Sequence, residues 1–236
     1  MSHGAARGTL DQLLEQEQIL FCCQSRLLAT LWVRSERGRY RGGSLMPDHL
    51  LGACTTLNES LQICRERQPT LLITTQLLEQ GSGLELITAA KQLAPDLRTL
   101  LFLQYEHRTL LEQAVKTHSD GIVLEADVGS GHVLAALRTV SKGGFYLEPR
   151  IAEQLNGSTR GRDPGLSPRE LEVMQEVANG RSDREIGEHL HLATDTVKYH
   201  LKQVYQKLSV HSRTRAAISL VLLGLVKPPS PLLPSA

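Results

Sequence analysis

The chain has 236 residues with 26 Lys and Arg against 25 Asp and Glu, a net charge of +1. That balance excludes a uniformly basic coat, so any affinity for a polyanion must come from local placement of charge. The length allows one or two domains with cores of their own, and no stretch approaches the roughly 18 uninterrupted apolar residues of a membrane helix.

No apolar signal-peptide core precedes the first charged residues, so the expected location is the cytoplasm, away from any membrane. Cys22, Cys23, Cys54 and Cys64 show neither CxxC nor Cys/His ligand spacing. Their pattern predicts no structural metal, no cofactor and no disulfide framework.

In chain order, residues 1–17 read as a leader with at most a short polar helix. From Ile19 the pattern alternates: ILFCC as a strand, Arg26 to Val33 as a helix, HLLGACTT as a strand and Asn58 to Arg67 as a helix. TLLITT, the helix from Leu84 to Leu93, TLLFLQ, the helix from Thr109 to His118, GIVLE and a helix from Ser130 to Val140 continue it. Five apolar strands, each followed by a helix, predict an α/β domain over 18–150 with a parallel sheet covered on both faces. Ligand chemistry in such a sheet belongs at the carboxyl ends of its strands. The loop RSERGRYRGG gathers Arg34, Arg37, Arg39 and Arg41 around Tyr40, and reads as a mobile, solvated connection. Gly81-Ser82-Gly83 is too short for a phosphate-binding loop.

Residues 151–164, including NGSTRGRDP, read as a linker, and 228–236 as a Pro-rich disordered tail. Between them, 165–227 carries two helix starts of one design. Ser167-Pro168-Arg169-Glu170 and Ser182-Asp183-Arg184-Glu185 are capping boxes, the first with Pro at the opening helical position. Leu171, Met174, Val177 and Ala178 form the apolar stripe of one helix, Ile186 and Leu190 that of the next. A tight turn between two capped helices is the skeleton of a helix-turn-helix. On the third helix Val197, Leu201, Val204 and Leu208 share a narrow core face. Tyr199, Lys202, Gln203 and Gln206, flanked by Lys198 and Lys207, project from the other side. From Thr194 to Arg215 a single acid, Asp195, opposes Lys198, Lys202, Lys207, Arg213 and Arg215. Long donors of this kind suit phosphates and base edges.

LSPRELEV, NGRSDREI, TDTVKYHLKQVYQKLSV and SRTRAAISLVLLGLV together closely resemble the LuxR/FixJ-type helix-turn-helix of bacterial transcription regulators. The resemblance implies an all-α four-helix domain in which Lys198, Tyr199 and Lys202 read the major groove. It makes Thr196, Lys207 and Arg213 phosphate contacts, with Gln203 and Gln206 beside them. Two positions depart from it. Ala193 stands where the family usually has a Ser or Thr cap, a loss that Thr194 offsets if the helix starts one residue later, and Gly187 stands where Ala is usual.

The segment from RERQPTLLITTQLLEQGSGLELI through SDGIVLEADV to RTVSKGGFYLEP resembles the receiver domain of NarL/FixJ-type response regulators. That resemblance implies a flavodoxin-like five-stranded parallel sheet with strand order 2-1-3-4-5 ahead of the helix-turn-helix. The family's phosphotransfer positions fall here on Cys23 and Gln24 (the acidic pair), Thr75 (the acceptor), Gln104 (the hydroxyl) and Glu125 (the lysine). Mg²⁺ requires hard oxygen ligands, and Glu125 would repel a phosphoryl group, so the receiver is expected to be degenerate and inactive in phosphotransfer.

The resulting expectation is a homodimeric, double-stranded-DNA-binding transcription regulator controlled without aspartyl phosphorylation. Ile218, Val221 and Leu222 are its dimer contacts, and a regulatory protein docking on the pseudo-receiver is a further partner. The alternatives are an adaptor or antagonist that binds proteins, or a thiol-sensing regulator using Cys22, Cys23 or Cys54. An enzyme finds no support, because no nucleophile with a base and no paired carboxylates stand at a strand end.

Overall fold

The computed structural model describes residues 17–31, 49–155 and 164–227. The predicted leader up to Gln16, the loop bearing Arg34, Arg37, Arg39, Tyr40 and Arg41, the segment 156–163 and the tail 228–236 lie outside the described residues. The chain packs as two compact units, the first within 1–105 and 124–126 and the second within 106–123 and 127–233.

Six strands, β1 (Ile19–Cys22), β2 (Leu50–Cys54), β3 (Leu71–Thr75), β4 (Arg98–Leu103), β5 (Gly121–Leu124) and β6 (Tyr146–Leu147), form one sheet in the order β2-β1-β3-β4-β5-β6. Strand β1 pairs in parallel with β2 and β3, β3 with β4, and β5 with β6. Consecutive residues of β3 and β5 are buried whichever way they point, the mark of a sheet covered on both faces.

In the first unit a helix runs over residues 26–31 (α1), followed by α2 (Leu57–Arg67) and α3 (Gly83–Leu93). Helix α3 opens with a capping box of Ser82 and Glu85. A β-carbon at Gly83 would stand 2.1 Å from the Thr75 carbonyl oxygen, so only glycine lets this helix start against the end of β3. Glu17, in the stretch read as leader, is buried and accepts from Thr70 Oγ1 at 2.6 Å and Arg98 Nη2 at 2.5 Å.

The second unit holds α4 (Arg108–Lys116), α5 (His132–Ser141) and α6 (Pro149–Leu155). Two of its elements differ from the sequence reading. Strand β6 is a sixth strand where five were expected; two residues are too few to show a period, although Tyr146 and Leu147 are fully buried. Helix α6 takes the first residues of the stretch read as linker and buries Ile151, Ala152 and Leu155. Its seven residues give little periodicity, and Pro149 sets its first turn.

Four further helices follow in the same unit: α7 (Pro168–Ala178), α8 (Asp183–Leu190), α9 (Thr194–Leu208) and α10 (Arg213–Leu222). Both capping boxes form: Ser167 Oγ accepts from Glu170 N at 3.2 Å and the Glu170 carboxylate from Ser167 N at 2.6 Å. Ser182 and Glu185 do the same at 3.3 and 2.7 Å. Val173, Met174, Val177, Ile186, Val197, Leu201, Val204, Ile218 and Leu220 make the core between these helices.

Helix α9 starts on an uncapped Ala193, and Thr194 is its first helical residue. Thr194 therefore does not stand in for the missing cap, contrary to the compensation considered from sequence. Gly187 has a steric reason: a β-carbon there would lie 2.6 Å from the Leu192 carbonyl oxygen, where the chain reverses through His191 at φ 55°. No helix among the described residues is long and apolar enough to cross a membrane.

Ala193→Ser supplies the missing acceptor at the start of α9, and is expected to stabilise the fold by about 1 kcal/mol. A higher urea midpoint at unchanged slope is the expected reading.

Candidate nucleic-acid interface

Helix α9 divides its side chains by exposure as its periodicity requires. Val197, Leu201 and Val204 are buried, Lys198, Tyr199, Lys202 and Gln206 are exposed, and Thr196 and Gln203 are half-buried at the margin. At about 100° per residue these six occupy an arc of about 160° opposite the core stripe. Tyr199 is 59% exposed, a large aromatic in mid-helix spending its apolar surface on water. Its ring meets that of His200 edge-on at 5.8 Å, which limits the directions it can take. Lys198 pairs with Asp195 one turn earlier at 3.6 Å. Both are largely exposed, so the pair is too weak to withhold the ammonium from a phosphate.

Lys207 and Arg213 are committed inside the unit. Lys207 Nζ donates to Glu170 Oε2 at 2.7 Å and to the Gly165 carbonyl at 3.1 Å. Arg213 Nη1 donates to Asp183 Oδ1 at 2.5 Å while its Nη2 reaches the Arg181 carbonyl. Burial alone would push the Glu170 carboxyl up, but its bonds from Lys207 and Ser167 outweigh this and hold it below the usual range. The structure thus gathers Thr196, Lys198, Tyr199, Lys202, Gln203 and Gln206 on one surface, while Lys207 and Arg213 fasten α9 and α10 to their neighbours. Arg169 adds a bond no motif announced, from Nη2 to the Leu190 carbonyl at 2.7 Å, tying α7 to the end of α8. Of the three dimer candidates, Ile218 and Val221 are buried, and Leu222 is half-buried.

The five receiver-type positions lie at the carboxyl ends of strands in the first unit. Cys23 is buried, its Sγ directed at the Ser25 carbonyl at 3.3 Å, and burial pushes the thiol up. Gln24 and Gln104 are exposed, and burial pushes the half-buried Glu125 carboxyl up as well. The Thr75 hydroxyl donates to the Leu77 carbonyl at 2.8 Å. The residue that organises this end is Gln76, which the sequence reading passed over. Its Oε1 accepts from the backbone N–H of Gln104 at 3.1 Å and of Tyr105 at 3.2 Å, filling with a neutral amide a paired-donor position suited to an anion. Among the described residues no group of three or more His, Cys, Asp or Glu could hold a metal ion.

Residues 164–220 match the family of bacterial regulatory proteins described as the luxR family. This segment is a luxR-family domain. Beyond it, the chain is 26% identical over 181 residues to the transcriptional regulatory protein LnrK of Bacillus subtilis, covering 71% of this chain and 82% of that protein. It is 25% identical over 189 residues to the transcriptional regulatory protein DegU of Brevibacillus brevis, covering 71% and 80%. The response regulator protein VraR of Staphylococcus aureus is 26% identical over 172 residues, covering 72% and 82%. These alignments are longer than the luxR-family segment alone, so the similarity extends into the α/β part.

Glu170→Ala removes a capping partner and the counter-ion of Lys207 together, and is expected to cost about 1–2 kcal/mol of stability at neutral pH. Because the folded-state carboxyl is held below its ordinary range, the contribution is present above the unfolded-state pKa and fades as pH falls through the folded one. Urea unfolding should therefore show wild type and variant converging in acid.

Proposed function

We propose that this chain is a bacterial transcription regulator that binds specific double-stranded DNA through helix α9, acting as a homodimer in the cytoplasm. The observation that carries the reading is the exposed arc of Lys198, Tyr199, Lys202 and Gln206 on a helix whose opposite face is locked in the core. Lysines supply phosphate attraction without sequence preference, while Tyr199, Gln203 and Gln206 offer apolar contact and amide bonding to base edges. Thr196, at the margin of the arc, adds a hydroxyl for a backbone phosphate. Relatives named as transcriptional regulatory proteins and response regulators support the assignment.

A 15-residue helix reads few base pairs, so two copies on paired half-sites supply the remaining affinity. Leu222 on α10 and the exposed Leu225 after it provide the accessible part of the pairing surface. Ile218 and Val221 contribute from beneath, by fixing the helix that presents it.

The receiver-type part works without aspartyl phosphorylation. Thr75 offers no carboxylate, Cys23 and Gln24 offer Mg²⁺ no carboxylate oxygen, and Glu125 sets a carboxyl where a cation would be needed. Its input is then binding, with a regulatory protein as the partner.

Lys198→Ala and Lys202→Ala should weaken binding to DNA fragments selected from a genomic pool. Each lost phosphate contact should flatten the slope of log K against log salt by about one unit. Unchanged affinity and slope in both variants would move the interface off α9. Incubation of the intact chain with acetyl phosphate and Mg²⁺ should leave its mass unchanged; a stable gain of about 80 Da would show that phosphorylation occurs.

A further inference from the structure

The first unit contains two register-paired thiols that the DNA-binding reading does not use. Cys22 ends β1, Cys54 ends β2, and the strand register sets them directly opposite one another. Neighbours in a sheet stand about 4.8 Å apart, inside the roughly 4.4–6.8 Å range of Cα separations that a disulfide spans. Register partners in a parallel pair also send their side chains to the same face. Both cysteines are buried and reduced.

The surroundings of the pair are polar for a strand core. Cys54 Sγ lies 3.0 Å from Ser60 Oγ and 3.7 Å from the Phe21 carbonyl, and Cys22 Sγ reaches the Thr56 carbonyl at 3.8 Å. The neighbouring Cys22 and Ser60 lower the Cys54 thiol against its burial, whereas the neighbouring Cys54 and then burial raise Cys22. Cys54 also sits just ahead of the N-terminus of α2, capped by Thr56, where a helix favours negative charge. The arrangement sets a thiol with a lowered pKa opposite a second thiol on the same face of the sheet. Cys23 is directed to the Ser25 carbonyl and Cys64 lies within α2, so neither belongs to the pair.

We infer that Cys22 and Cys54 form an oxidisable dithiol that hydrogen peroxide closes to an intrachain disulfide. The Cys54 thiolate attacks one peroxide oxygen and the O–O bond breaks, leaving a sulfenic acid and a hydroxide that takes up the released thiol proton. The Cys22 sulfur then attacks the Cys54 sulfur. The S–S bond forms, the S–O bond breaks, and the departing hydroxide leaves as water with the Cys22 proton. Two electrons pass from the thiols to the peroxide, which ends as two waters.

Closure removes the sulfur contacts to Ser60 and Thr56 at the start of α2. Thr55 and Thr56 also hold the segment after β3, through Thr55 Oγ1 to Glu79 at 2.7 Å and the bridge between Thr56 and Gln80. Oxidation therefore acts on the carboxyl end of the sheet, the end where this fold class places its signals.

The test treats the full chain with hydrogen peroxide, unfolds it in excess iodoacetamide and maps the peptides without reduction. The expected product joins the peptides containing Cys22 and Cys54, about 2 Da below their summed mass, is absent after dithiothreitol, and leaves Cys64 alkylated. Cys22→Ala and Cys54→Ala should each abolish the link, and Cys23→Ala should retain it. Fragmentation of the wild-type product locates the bond by itself, so the result does not depend on the folding of any variant. Linkage through Cys23, over-oxidation of Cys54 without a link, or full alkylation of both thiols at peroxide levels that oxidise the unfolded chain would overturn the proposal.

Discussion

The carboxylate of Glu170 is the interaction on which the exposed arc of α9 depends. It accepts from the backbone N–H of Ser167 at the start of α7 and from the ammonium of Lys207 near the end of α9. One buried group thereby satisfies a free helix-start donor and ties down the end of α9. Arg213, bonded to Asp183 and to the Arg181 carbonyl, does the same between α10 and the start of α8. With both ends of the helical unit held by charge-assisted bonds, the apolar stripe of α9 has one way to sit, and the arc of Lys198, Tyr199, Lys202 and Gln206 is presented as a fixed array. Preorganisation of this kind spares the binding step the cost of ordering the helix.

In the α/β part, internal hydrogen bonds occupy the carboxyl ends of the strands. Gln76 spans from β3 to the turn after β4 and closes off two backbone donors, Thr75 spends its hydroxyl on Leu77, and Glu79 ties the turn after β3 to Thr55. These bonds join β3, the turn after β4 and the end of β2 at one end of the sheet. The apolar strand cores that specify the fold do not depend on which polar residues stand at that end.

Much of this was legible in the sequence because the signals were local. Two capping boxes, a Pro at a helix start and a narrow apolar stripe announce α7, α8 and α9 before any tertiary contact is known, and the strands declare themselves as unbroken runs such as LLITT and TLLFLQ. What escaped was short or long-range. Strand β6 has two residues and helix α6 seven, both below the length at which a period can be read. Lys207 and Arg213 bond to Glu170 and Asp183, partners 37 and 30 residues away that no local pattern can show. Gln76 carries no motif at all; its importance lies in two backbone N–H groups that come within reach once β3 and β4 pair.

The most direct test of the central claim is a hydroxyl-radical footprint of the full chain on a DNA fragment it enriches from a genomic pool. A dimer reading the major groove through α9 should protect two related patches with centres about 10 base pairs apart, or a multiple of that spacing. Protection spread evenly along the fragment, or none at the protein concentration that retards it, would contradict sequence-specific reading by paired recognition helices.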